Sequence, residues 1–141
     1  MATYDKTGGA ATGIPLGAAG RVYVAKQTVD LTGEAMTDND IYQVIAVPAN
    51  SLVRSVSLEI EKAAVGSTCT IDVGITGDNS LLDGVNGKTE AISHSSVGVA
   101  EASVQGVLYT AADTIDVTME AITAITAGPK FTLRAEIVDF N

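Results

Sequence analysis

Ser51-Leu52-Val53-Arg54-Ser55-Val56-Ser57-Leu58-Glu59-Ile60-Glu61 is the most regular stretch of this chain. In an extended backbone Val56, Leu58 and Ile60 fall on one side, and Ser55, Ser57, Glu59 and Glu61 on the other. A period of two belongs to a strand with one dry and one wet face, whereas a helix spaces its apolar residues by three and four. Pro48-Ala49-Asn50 just before it reads as a turn, since Pro presets φ and Asn bonds its own backbone. The stretch therefore predicts a strand over residues 51–61.

The same period recurs along the chain. Thr68-Cys69-Thr70-Ile71-Asp72-Val73 turns Cys69, Ile71 and Val73 inward, and Ile115-Asp116-Val117-Thr118-Met119-Glu120 repeats the pattern. Phe131-Thr132-Leu133-Arg134-Ala135-Glu136-Ile137 points Phe131, Leu133 and Ile137 one way and Thr132, Arg134 and Glu136 the other. Arg21–Ala25 and Ile41–Val47 read as further strands, and Ala102–Thr110 as a weaker one in which Val104, Leu108 and Tyr109 do not keep one face. Between them lie Asp38-Asn39-Asp40, Gly77-Asp78-Asn79, Asp83-Gly84, Asn86-Gly87 and Gly128-Pro129, all turn chemistry. Short alternating strands at this spacing predict an all-β, antiparallel sandwich rather than a parallel sheet with helices. Seven or eight strands suit a jelly roll better than an immunoglobulin-like sandwich. Helix at Ser57–Ala64 or Met119–Thr126 is the competing local reading, disfavoured by β-branched residues. Val56, Leu58, Ile60, Ile71, Val73, Val117, Phe131, Leu133 and Ile137 are expected to share one core.

With 141 residues the chain fits one domain. Hydrophobic residues make up 46% but aromatics only 4%, with no Trp, so Val, Ile, Leu and Ala must build the core. Residues 1–20 differ: Thr7-Gly8-Gly9-Ala10-Ala11-Thr12-Gly13 and Leu16-Gly17-Ala18-Ala19-Gly20 hold too little apolar surface to offset their ordering entropy. They are expected to form a flexible N-terminal arm without regular structure, laid on a neighbouring surface, ahead of a sandwich domain at 21–141.

Seventeen acidic against eight basic residues give a net charge of −9. That balance disfavours nucleic acid, which is bound through clustered Lys and Arg, and equally an anionic membrane. No apolar run approaches the roughly 20 residues of a membrane span. The start, Met1-Ala2-Thr3-Tyr4-Asp5-Lys6, lacks the basic and apolar regions of a signal peptide, so synthesis and retention in a cytoplasm are expected. The single cysteine, Cys69, precludes an internal disulfide.

No constellation for catalysis emerges. His94, the one histidine, sits in Ser93-His94-Ser95-Ser96 without a Gly-x-Ser-x-Gly elbow, and reads as a polar loop. Cys69 on an inward strand face is inert, and one Cys with one His cannot furnish a zinc site. Asp78, Asn79 and Asp83 gather acids in a turn-rich stretch that calcium could use, but the EF-hand spacing is absent and turn chemistry explains them. Gly87-Lys88-Thr89 resembles the end of a phosphate-binding loop, yet the required earlier glycine is Leu82. Paired carboxylates for glycoside chemistry lack the aromatic faces that sugar clefts use. No catalytic, cofactor-binding or metal residue is assigned, no cofactor is expected, and a non-enzymatic protein is.

The run Val44-Ile45-Ala46-Val47-Pro48-Ala49-Asn50-Ser51-Leu52-Val53 with the strand to Glu61, then Thr70-Ile71-Asp72-Val73-Gly74 and Leu81-Leu82-Asp83-Gly84-Val85-Asn86, resembles small virion structural proteins of tailed bacteriophages, among them capsid decoration (cement) proteins. The resemblance spans about residues 40–90. It implies a β-rich homotrimer that binds the major capsid protein on the exterior of the shell and stabilises it, with no nucleic acid or membrane partner. Head-fibre or tail components, and a carbohydrate- or calcium-dependent binding module, are the alternatives.

Overall fold

The computed structural model describes residues 1–7, 21–75, 79–95 and 106–141. Among these residues there are ten strands: β1 (Thr3–Asp5), β2 (Arg21–Asp30), β3 (Ile41–Val47), β4 (Ser51–Lys62), β5 (Thr68–Gly74), β6 (Leu82–Asn86), β7 (Ile92–His94), β8 (Val107–Tyr109), β9 (Asp113–Thr123) and β10 (Lys130–Asp139). One sheet has the order β1-β3-β9-β5-β6; the other runs β2-β10-β4-β7, with β8 also on β4.

Setting β1 aside and joining β7 and β8, which line the same strand, leaves eight strands in the orders 1-8-3-6 and 2-7-4-5. This is the double Greek key of a jelly roll. Both short strands run antiparallel to β4, β7 beside Ser57–Glu59 and β8 beside Ser51–Val53.

Two inward faces meet in one core. In the second sheet Val29, Phe131 and Ile60 stand in register across three strands, as do Ala25, Ala135 and Val56. From the first sheet Ile71, Val73, Ile115, Val117 and Met119 close against them, each buried. All nine residues expected in the core are buried, none more than 3% exposed.

β-Bulges adjust the pattern. Glu136 pairs with Ser55 and Ile137 with Val53, so Arg54 is the extra residue, and Val53 and Val56 both face inward although three apart. Glu120 is extra where Thr70 pairs with Ala121 and Ile71 with Met119. Asn50, at φ 55, takes the left-handed turn position between β3 and β4.

The competing helix readings fall away: Ser57–Lys62 is strand, paired with β10 and, over Ser57–Glu59, with β7, and Met119–Thr123 is strand paired with β5. Other expectations are corrected. The described residues hold ten strands instead of seven or eight: the short β1, β6 and β7 carry too few residues to show alternation. His94 closes β7 rather than lying in a loop. Of the weak run at 102–110, Val107–Tyr109 is strand and residues 102–105 lie outside the described residues.

The N-terminal segment is not wholly irregular. Thr3, Tyr4 and Asp5 pair in parallel with Ile41, Tyr42 and Gln43, an addition to otherwise antiparallel sheets. The physical reason is local: Asp40 accepts the Ala2 N–H at 3.1 Å, and the Tyr4 ring finds Tyr42. Residues 8–20 of the expected arm lie outside the described residues.

Candidate functional site

Directly opposed residues in antiparallel strands share a face, so the outward residues of the second sheet form rows. At one end Val22 opposes Val138, Val138 opposes Leu52, and Leu52 opposes Leu108. An apolar row thus crosses four strands. Its ends are open, Val22 at 54% and Leu108 at 58% exposed, with Val138 and Leu52 half-buried between them. Val24, two residues beyond Val22, is also exposed, as is Phe140 beyond Val138. The Phe140 N–H donates to the Asn50 carbonyl at 3.1 Å, which carries the β10–β4 ladder on to this residue. Single exposed apolar side chains are ordinary, but a contiguous set marks a contact surface.

The opposite end of this face is polar and paired within itself. There Arg134 bonds Glu59 at 2.9 Å and Lys130 lies 3.4 Å from Glu61, while nearer the apolar row Arg54 lies 3.1 Å from Glu136. Thr132 bonds Thr28 at 2.7 Å and donates to Glu61, which holds the Glu61 carboxyl below its ordinary range. These charges already have partners, whereas the apolar row has none among the described residues.

A shallow groove of about 240 Å³ between the two ends is lined by Val24, Ser55, Ser57, His94, Ser95 and Arg134, among others. It brings a histidine near three serines but does not form a triad. The Ser95 hydroxyl is engaged with the backbone of Val56, accepting its N–H at 2.8 Å and donating to its carbonyl at 3.3 Å. Arg134 is turned to Glu59. A nucleophile needs a base within hydrogen-bond reach and an oxyanion site, and the groove assembles neither among the described residues.

Cys69 is buried, and desolvation pushes its thiol up to about 11, so thiolate chemistry is suppressed at neutral pH. Gly87-Lys88-Thr89 is a turn after β6: Asn86 Oδ1 accepts the Lys88 N–H at 2.9 Å, and the Gly87 N–H donates to the Cys69 carbonyl at 2.8 Å. Lys88 reaches the Ser67 carbonyl at 3.1 Å instead of standing over a phosphate cradle.

The acidic candidates are reassorted. Asp83 meets Asp72 and Glu120, their carboxylate oxygens all within 4.8 Å of one another, while Asp78 lies outside the described residues. The bulge at Glu120 brings that residue to the group. Asp72 is buried, and desolvation raises its pKa against the Gly84 N–H that it accepts at 2.9 Å; the nearby charges of Glu120 and Asp83 raise it further. Three carboxylates can offer oxygens to a hard cation, but here Asp72 draws on the Gly84 amide and on Asp83. Neither Asp72 nor Glu120 stood out in the sequence, because each is one polar residue of an ordinary alternating strand and only the pairing of β5 with β9 brings them together.

No protein-family model and no curated protein matches the chain. Solved structures do. One match is a chain from the capsid of Ralstonia phage GP4, at a TM-score of 0.74 and 21% identity over 97% of both chains. The fold is one found in phage capsids. A second match comes from the capsid asymmetric unit of cyanophage Pam1, at a TM-score of 0.59 and 22% identity, covering 91% of this chain and 89% of that one. At these identities the likeness is one of fold. No helix among the described residues is long and apolar enough to cross a membrane.

The apolar row escaped sequence reading because it joins residues 22, 52, 108 and 138. Its one local signal was Leu108, which does not alternate with its neighbours.

Proposed function

We propose that this chain is a non-enzymatic structural protein of a phage virion, a capsid decoration (cement) protein that binds the assembled shell from outside and stabilises it. The observation that carries the reading is the row Val22–Val138–Leu52–Leu108, exposed at both ends, on a jelly roll whose solved likenesses are phage capsid chains. The major capsid protein is the partner, and the chain assembles with itself as a closed cyclic oligomer, a trimer in the first instance. Several modest contacts per oligomer add through effective concentration, so no single contact needs to be strong. The net charge of −9 favours basic patches on the shell around an apolar centre.

The test is to mix purified protein with shells lacking it, sediment them and count bound copies, beside the Leu108→Asp variant. A surface substitution there leaves folding within about 0.5 kcal/mol. Saturable binding by the parent chain, reduced at least tenfold in the variant, supports the reading. Absence of binding to shells, or attachment to tails or fibres instead, overturns it.

A further inference from the structure

The one parallel pairing among the described residues holds the N-terminal strand. Tyr4 covers Tyr42, the Ile41 N–H donates to the Ala2 carbonyl at 2.8 Å, and the Lys6 N–H donates to the Gln43 carbonyl at 2.7 Å. Lys6 also pairs with Glu34 at 3.3 Å, and the Ala2 N–H reaches Asp40. These contacts involve only the β3 edge and the loop before it. All three residues of β1 are exposed, yet Tyr42 beneath is 1% exposed, and its burial raises the phenol pKa. The β3 edge therefore needs a covering strand, but nothing in the contacts requires that strand to come from the same chain.

Chain length points outward. β1 runs toward the Val47 end of β3, and Arg21 stands at that same end, opposite Asp139, which opposes Ser51. The path from Asp5 to Arg21 is thus about 13 Å along the sheet and about 10 Å between sheets. Residues 6–20 have a contour of about 50 Å, roughly twice that path. Five glycines at 8, 9, 13, 17 and 20 and alanines at 10, 11, 18 and 19 add little side-chain bulk to the connection.

We propose that the β3 edge is an exchange port: in the assembled oligomer it receives β1 from a second copy of this chain, and each copy passes its own β1 to the next. The proposal rests on the self-association in the reading above. Exchange reproduces every contact of the closed form, so its enthalpic cost is small, and a closed ring leaves no port uncovered. The copy-to-copy link comes from backbone pairing and the Tyr4–Tyr42 stack and is separate from the apolar row, which remains free for the shell.

The experiment uses register partners. A tagged Asp5→Cys chain and an untagged Gln43→Cys chain are co-refolded, assembled, mildly oxidised and run on a denaturing, non-reducing gel. Thr3→Cys with Ile41→Cys is a second pair, which spares the bonds from Asp5 to Thr7. Buried Cys69 is silent under these conditions. Exchange predicts a tagged-to-untagged adduct at twice the chain mass from both pairs, lost on reduction. Absence of adduct while the Asp5→Cys/Gln43→Cys double variant closes its disulfide within one chain overturns exchange. If such protein still sediments with shells, the decoration reading stands without it; if it is also monomeric and unbound, both fall.

Discussion

The ring of Tyr4 lies stacked on that of Tyr42, centroids 5.0 Å apart and planes 16° from parallel. One residue is half-open to solvent at the chain's start; the other is among the largest fully buried side chains. Tyr4→Ala removes the stack, worth about 0.5–1.5 kcal/mol beyond its area. The sandwich stays folded while β1 detaches more often. Trypsin cleavage after Lys6 is expected to accelerate, with a small drop in denaturant midpoint. An unchanged cleavage rate would show that the backbone pairing of β1 holds it without the ring.

Phe131 stands between Val29 and Ile60 across three strands and is fully buried. Phe131→Ala leaves a cavity in the middle of the second sheet and is expected to cost about 3–5 kcal/mol by chemical denaturation. A loss below about 1 kcal/mol would contradict the packing described.

A methyl group placed on Gly87 would meet the Cys69 sulfur at 2.5 Å and the Ile71 side chain at 2.9 Å. Gly87→Ala is therefore an overpacking change, expected to destabilise by about 1–3 kcal/mol. Cys69→Ala removes the sulfur, so the double variant should lose less than the sum of the two single ones. Strict additivity in that cycle would mean that the β6 turn moves away instead.

The buried carboxyl of Asp72 has a folded-state pKa above its ordinary 3.8. Such a group contributes stability that is fully present below pH 3.8 and is lost as pH rises through the folded value. Asp5, Asp30 and Glu61 are shifted the other way, so the overall profile is a sum. The informative quantity is the difference between Asp72→Asn and the parent chain. The variant should gain relative stability as pH rises from about 4 toward neutrality, as the Asn oxygen can still accept the Gly84 N–H. A difference independent of pH would refute the raised pKa.

The sequence by itself determined the all-β class, the main strands and the inward face of each. Val56, Leu58 and Ile60, or Phe131, Leu133 and Ile137, alternate with polar neighbours, and a strand has only two faces. It also determined the turn at Pro48-Ala49-Asn50, where the side chains themselves dictate the backbone. The tertiary structure alone decided the rest. The bulges at Arg54 and Glu120 exist because paired strands must keep register around a curved core, a demand made by the partner strand. The short β1 and β7 are strands only because β3 and β4 offer them an edge. The row Val22–Val138–Leu52–Leu108 and the carboxylate group Asp72–Asp83–Glu120 join residues far apart in the chain; alternation tells which face a residue takes, and only strand pairing tells what stands beside it.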